Sequence, residues 1–149
     1  MQAADMGITG TESPMELDSD TALKARLEAL RLACGPLMNL GDVTDKSVPK
    51  MTMVAPPQHG GAFMTRSFIP HKCHEAIGVF AAVSAASAAL LEGSPAASLA
   101  DIPPGKQKMI SVEHPSGATG CVLELDDTGN VARAGMLRTT RKLFDGMIF

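Results

Sequence analysis

The segment PHKCHE, residues 70–75, concentrates side chains that suit anion binding. His71, Lys72 and His74 stand just before an uncharged run, residues 77–91, whose composition predicts a helix. Free backbone N–H groups and the positive end of the helix dipole attract anions at such a start. The spacing therefore predicts a site for carboxylate or phosphate. The alternative is that His74 only caps the helix and that Lys72 is solvated.

Metal binding is a second chemistry that this segment suggests, and the sequence argues against it. His74 and Glu75 begin like the zinc motif HExxH, but Gly78 stands where the second histidine is needed. No CxxC motif or distant Cys/His pair completes a ligand shell around Cys73. We therefore predict no metal. Cys73 is instead a weak candidate for acid–base catalysis, because a helix start beside lysine and histidine would lower the pKa of its thiol.

The uncharged run of residues 77–91 predicts a helix that is buried on all sides. Alanine, valine, leucine and serine surround its axis, so no polar stripe is left to face water. At the helical rise its length is about 22 Å, which is too short for a bilayer crossing. Its small side chains allow strands to approach closely. We expect the core of a domain whose sheet wraps around this helix.

The residues before this helix predict one outer helix and two strands. Residues 1–17 indicate a connection, residues 18–20 an N-cap, and residues 35–36, Gly-Pro, a helix end. The predicted apolar stripe of this helix consists of Leu23, Leu27, Leu30 and Cys34. Arg31 lies off that stripe, so we expect it to be solvated. The helix should cover the outside of the sheet.

Two strands are predicted at residues 48–55 and 62–69, with a turn at residues 58–61 between them. Period two places Arg66 on the same, mostly apolar face as Met64 and Phe68. Arg66 then either extends its stem along an edge into solvent or points to the anion predicted near the helix start.

Strands resume at residues 108–113, 119–125 and 130–138, and Asp-Asp-Thr-Gly before the last one predicts a hairpin. His114 is expected to be a turn residue. The basic run 138–142 is either a solvated face or a second part of an anion pocket. The pattern of helix, two strands, buried helix and three or four strands predicts an α+β domain with a curled, mostly antiparallel sheet around that helix.

Composition limits the classes of partner. The chain has 149 residues, 45% of them hydrophobic and 19% charged, which suits one globular domain. A net charge of −3 and the absence of Trp and Tyr argue against binding to nucleic acids or anionic membranes. Three separated cysteines without a signal peptide predict a reduced, cytoplasmic setting.

Several separated segments resemble the carboxy-terminal domain of the PrpF family. They are AADMGITGTE, VPKMTMVAPPQHGG, TRSFIPHKCHEAIGVFAAVSAASAAL, SVEHPSG and LRTTRKLFDG. They occur in the family's order and cover nearly the whole chain. The family includes 2-methylaconitate cis-trans isomerase and 4-oxalomesaconate tautomerase, and the motifs are nearer to the tautomerase branch.

This resemblance implies a diaminopimelate-epimerase-like fold, in which two similar domains each wrap strands around a central helix. Residues 1–149 would be a partial second domain, with the first domain and its catalytic lysine and cysteine absent. The implied reaction is a proton shift within an unsaturated di- or tricarboxylate, without a metal or organic cofactor. We therefore expect this chain alone to be inactive.

The resemblance also implies a set of carboxylate ligands. Lys50, His71, Lys72 and His74 match family motif positions, and Arg66 is a further candidate for binding the substrate. The alternative is a non-catalytic fragment, either a carboxylate-binding module or an assembly unit. Homo-oligomers, or pairing with a separately encoded first domain, are then the expected partnerships.

Overall fold

One mixed sheet of five strands organises the computed structural model, which describes residues 1–137 and 141–147. The strands are β1 (Met51–Ala55), β2 (Phe63–Phe68), β3 (Gln107–His114), β4 (Gly117–Leu125) and β5 (Val131–Met136). Their spatial order follows the chain. Neighbours are antiparallel except β2 and β3, which run parallel. The predicted α+β class with a mostly antiparallel sheet is confirmed. Residues 1–3 pair with the outer edge of β1 at Val54, and β5 is the last strand at the other edge.

The opening of the chain is part of the fold, so the predicted connection at residues 1–17 is wrong. Helix α1 (Pro14–Ser19) begins with a capping box, in which Ser13 Oγ accepts the Glu16 N–H and the Glu16 carboxylate accepts the Ser13 N–H. The apolar residues Ala3, Met6 and Leu17 are buried. This local capping stabilises a short helix that hydrophobic periodicity alone does not indicate.

Helix α2 (Thr21–Leu37) begins where the sequence predicts, with Asp20 Oδ1 accepting the Leu23 N–H at 2.8 Å. Its buried positions are Leu23, Leu27, Arg31 and Gly35, one every four residues. The predicted stripe is therefore correct for its first two members only, since Leu30 is 39% exposed and Cys34 is half-buried. Gly35 does not end the helix. A Cβ there would lie 2.5 Å from Val43 Cγ2, so glycine lets the following loop pack closely.

Arg31 is fully buried, which corrects the expectation that it is solvated. Its Nη1 donates to the carbonyls of Val43, Lys46 and Val48 at 2.9, 2.9 and 2.6 Å. Its Nε and Nη2 donate to the Glu28 carboxylate at 2.7 and 2.9 Å. One side chain therefore holds the loop between α2 and β1 against the helix.

Separate hydrophobic clusters cover the two faces of the sheet. One cluster joins helix α3 (Val79–Ala88) to β2, β3 and β4 through Ala82, Ala86, Phe63, Ile110, Val112, Cys121 and Leu123. The other joins α1 and α2 to β1 and β2 through Leu17, Leu23, Leu27, Met53, Met64 and Phe68. Because alternate side chains of a strand point to opposite faces, β2 is buried along its whole length.

Helix α3 is shorter and more exposed than predicted. It spans ten residues instead of 77–91, and only Ala82 and Ala86 are buried within it. Phe80 is 88% exposed, so burial on all sides is wrong. An all-apolar sequence shows only that no polar stripe exists. Here the open sheet covers one side of the helix, and no described residue covers the rest.

The remaining strands agree with the sequence. The predicted hairpin turn is confirmed, with Asp126 Oδ1 accepting the N–H groups of Thr128 and Asn130. Residues 138–140, part of the predicted basic run, lie outside the described residues. In the described part of the chain, no helix combines the length and apolar character that a bilayer crossing needs.

The buried contacts of Arg31 predict a large loss of stability in Arg31→Met. Methionine keeps the packing of the stem but leaves buried carbonyls of the 43–48 loop without donors, so we expect Tm to fall by about 10 °C. Arg133→Met is the control, because the Arg133 side chain is 83% exposed. Thermal unfolding followed by circular dichroism checks this, and equal Tm values for the two variants would contradict it.

The one-sided burial of α3 predicts opposite outcomes for two of its residues. Ala82→Leu should overpack the sheet-facing side and lower the free energy of unfolding by about 1–3 kcal/mol. Phe80→Ala should change it by less than about 0.5 kcal/mol, because the ring is exposed. Urea unfolding measures both. A large loss in Phe80→Ala would mean that the helix is enclosed, as the sequence suggests.

Candidate functional site

The basic segment, residues 70–75, does not lie at the start of a helix. Helix α3 has Gly78 as its N-cap, with no side-chain cap, and the segment of residues 69–76 precedes it. That segment turns back onto β2 instead, since His74 N donates to Ser67 O at 2.8 Å and Ile69 N to Lys72 O at 3.0 Å. A backbone hydrogen bond to β2 therefore holds the basic segment. Its predicted helix-start geometry is wrong.

The other predicted ligands are dispersed. Lys50 and Lys72 are exposed, on different segments. His71 Nδ1 lies 3.4 Å from Glu28 Oε2, so a carboxylate of α2 already faces it. His74 Nδ1 accepts the Ala76 N–H at 3.0 Å. Carboxylate binding by these residues stays a prediction, without a common pocket to support it.

The surroundings of Cys73 do not suit acid–base chemistry. It is buried, and its N–H donates to Asp18 Oδ1 at 2.7 Å. Burial, and then the Asp18 carboxylate, raise the pKa of the thiol to about 11. The expected lowering of this pKa is therefore wrong, because the residue lies beside an acid and not at a helix start. Cys73 is a neutral thiol at physiological pH.

A cleft of about 560 Å³ opens beside β2 and β3. It is lined by Thr11, His59, Gly60, Gly61, Met64, Arg66, Ser111, Glu113, His114, Pro115, Gly117 and Ala118. Arg66 is the predicted site residue that lines it. A second hollow of about 530 Å³, around Asp5 and Glu92, has no cationic side chain in its lining and does not suit an anion.

Arg66 supplies a positive charge to this cleft, which the Glu113 carboxylate also lines. Arg66 is only 7% exposed, its Nε donates to Glu12 O at 2.8 Å, and its Nη1 donates to Thr65 O at 2.9 Å. Within residues 1–137 and 141–147, Arg66 forms no ion pair. Its Nη2 has no protein acceptor and is reached by solvent, since no buried side-chain nitrogen or oxygen there lacks a hydrogen-bond partner. Burial lowers the pKa of Arg66, but an arginine stays protonated at neutral pH. The cleft therefore contains a buried cation without an ion-pair partner.

Hydrogen bonds also hold the loop of residues 9–12, whose Glu12 carbonyl accepts the Arg66 Nε–H. The Glu12 carboxylate accepts the N–H groups of Thr9 and Gly10 at 2.7 and 2.8 Å. Burial would raise the pKa of Glu12, but these hydrogen bonds outweigh it and hold the pKa below its usual value. The Glu12 carbonyl thus presents a steady acceptor to the guanidinium.

His114 lies at the end of β3 beside this cation. Its Nε2 is 3.2 Å from Thr119 Oγ1 and its Nδ1 is 3.3 Å from Ser116 Oγ. Burial, followed by the positive charges of Arg66 and His74, lowers its pKa below the ordinary 6.5. The imidazole is therefore mostly neutral at pH 7 and is able to accept a proton. The sequence predicts His114 as a turn residue and does not place it in a cleft. The signal that could have found it is the motif SVEHPSG, which contains it.

Glu113, next to His114, is a buried carboxylate that the sequence did not single out. It accepts the N–H groups of Gln58, His59 and Gly61. Burial would raise its pKa, but the three backbone donors outweigh it and keep the pKa low. The contact joins residues more than fifty positions apart, so no local pattern indicates it.

Together these groups form a site that can bind an anion at a fixed cation beside a neutral histidine. The hydroxyl groups of Thr11 and Ser111 line the same cleft. In the part of the chain that the structure describes, no three His, Cys, Asp or Glu side chains are grouped to hold a metal ion. The arrangement suits carboxylate binding and proton transfer.

Known proteins match the whole chain. The family model described as PrpF protein matches residues 1–149. A (4E)-oxalomesaconate Delta-isomerase from Novosphingobium sp. (strain KA1) is 60% identical over 149 residues, which are 100% of this chain and 42% of that protein. A 4-oxalomesaconate tautomerase from Pseudomonas putida is 51% identical over 146 residues, which are 98% of this chain and 40% of that protein.

The fold is also found in a solved structure. A crystal structure of a methylitaconate-delta-isomerase matches with a TM-score of 0.79 at 20% identity, covering 93% of this chain and 42% of that one. This likeness confirms the diaminopimelate-epimerase-like fold. The chain spans about two-fifths of the length of the curated relatives that it matches. The family match along all 149 residues shows that the chain belongs to the PrpF family.

Proposed function

We propose that the protein is the carboxylate-binding part of an isomerase that shifts a proton within a small unsaturated di- or tricarboxylate. The observation that carries this proposal is Arg66, a buried cation without an ion-pair partner in the described residues, lining a cleft of about 560 Å³. Relatives named for 4-oxalomesaconate support the substrate class. Either 4-oxalomesaconate or 2-methylaconitate has the carboxylates that the cleft requires.

A carboxylate suits Arg66 for physical reasons. Burying a charge without a partner is costly, and a bound anion removes that cost. A guanidinium presents parallel N–H donors that match the two oxygens of a carboxylate.

The same cleft supports a proton shift. Removing a proton beside a carbonyl produces an enolate-like anion, which needs a base to take the proton and a cation to stabilise the charge. We assign the cation to Arg66 and a proton-accepting role to His114, which is mostly neutral at pH 7. The resemblance assigns a lysine and a cysteine of another domain to catalysis. That residues 1–149 pair with such a domain, and bind substrate without turnover when alone, stays a prediction.

One observation favours assembly with another chain as a second function. Val79 and Phe80, at the start of α3, are 40% and 88% exposed. An exposed aromatic and aliphatic pair on an element of the core is typical of a surface that another domain covers. This function is compatible with carboxylate binding.

The proposal predicts that citrate binds beside Arg66. An NMR titration should show shifts at Arg66 and His114, with millimolar affinity, and Arg66→Lys should weaken binding about tenfold because lysine loses the two-point contact. Arg133→Lys, an exposed arginine on β5, should leave affinity unchanged. Shifts confined to residues 70–76 would favour the basic segment instead, and shifts confined to residues 141–142 would favour the basic run.

The lowered pKa of His114 predicts how binding depends on pH. A bound carboxylate favours the protonated imidazole, so affinity should rise as pH falls through the depressed pKa and should be nearly flat above about pH 7. Titration of citrate between pH 5 and pH 8 measures this, with sulfate as a probe that keeps its charge. His114→Gln should remove the rise for sulfate. A rise that persists in His114→Gln but disappears in His59→Gln or in His74→Gln would assign the effect to another histidine.

A further inference from the structure

The loop of residues 58–61 encloses a carboxylate that belongs to a distant strand. Glu113 Oε2 accepts the Gln58 N–H at 2.9 Å, and Oε1 accepts those of His59 and Gly61 at 2.8 and 2.7 Å. Backbone amides that converge on a carboxylate form strong, charge-assisted hydrogen bonds. The conformation of the loop therefore depends on one side chain of β3.

Glycine at position 61 is part of the same contact. A Cβ on Gly61 would lie 2.5 Å from Glu113 Cγ and 2.8 Å from its Oε1. Any other residue there would have to displace the carboxylate or the loop. The loop can therefore be disturbed by a substitution at either Gly61 or Glu113, and a substitution of Gly61 by alanine does so without a change of charge.

The loop brings His59 to the cleft that Arg66 lines from β2. The two candidate ligands therefore come from different elements of the same cleft, so a ligand with more than one carboxylate has a partner for each. We propose that Glu113 is a positioning residue, which holds the loop so that His59 binds a second carboxylate and selects polycarboxylates over monocarboxylates. This inference rests on the proposed function of the cleft.

A purely structural role for Glu113 would have a different effect. If the carboxylate only stabilised the fold, its loss would lower the Tm and weaken every anion equally. Selection by His59 instead affects only ligands that contact both His59 and Arg66. The comparison of a tricarboxylate with a monocarboxylate therefore separates positioning from stability.

The test measures the affinity of the 149-residue chain for tricarballylate and for acetate by NMR titration. Glu113→Gln and Gly61→Ala should each weaken tricarballylate about tenfold, the loss of one charge-assisted contact, and should change acetate less than about twofold. His59→Ala should show the same selective loss, and should add nothing in the Glu113→Gln background. Glu124→Gln, a more exposed carboxylate on β4, is the control and should bind both ligands as the unchanged chain does.

Hydrogen exchange of the β3 and β4 amides establishes that each variant is folded. Because His59 is exposed, His59→Ala tests the selection even where the other two variants unfold. Equal weakening of both ligands, or unchanged affinity for tricarballylate in His59→Ala, would overturn the positioning role while Arg66-dependent acetate binding still supports the proposed function. If neither anion binds the unchanged chain, both proposals fall.

Discussion

The burial of β2 on both faces is the constraint on which the rest of the structure depends. All six residues from Phe63 to Phe68 are buried, with α3 on one side and α1 and α2 on the other. A polar side chain in such a strand has no direct route to water. Arg66 must therefore find acceptors inside the protein or lie at a cleft, and it does both. The packing of the two hydrophobic clusters thereby places a cation in the candidate site.

Charged side chains that are buried or partly buried in this domain are satisfied mainly by the backbone. Arg31 donates to loop carbonyls, and Glu12 and Glu113 accept loop N–H groups. In each case a charged side chain fixes the conformation of a loop whose own sequence is rich in glycine or polar residues. Arg66 differs, because its Nη2 has no acceptor among the described residues. The arginine whose Nη2 is left to solvent is also the one that lines a cleft, which is why the proposed function gives it a binding role.

What the sequence predicts well is governed by local patterns. The strands and the turn at residues 126–129 follow from alternation and turn chemistry, and the order of motifs indicates the family. What it misses depends on contacts between distant residues. The burial of Arg31 requires the 43–48 loop, and the role of Glu113 requires residues 58–61. The helix at residues 77–91 was overextended because an apolar sequence does not indicate how much of a helix its sheet will cover.

Arg66, a permanent cation, affects the protonation of His114 beside it, and this bears on the proposed chemistry. Arg66 stays charged, and together with burial it keeps His114 neutral near pH 7. This coupling weakens His114 as an anion ligand, since a neutral imidazole adds no charge to the cleft. It also favours His114 as a base, because only the neutral form can accept a proton. In the proposed function the two residues thus have separate roles: Arg66 binds negative charge throughout, and His114 exchanges a proton.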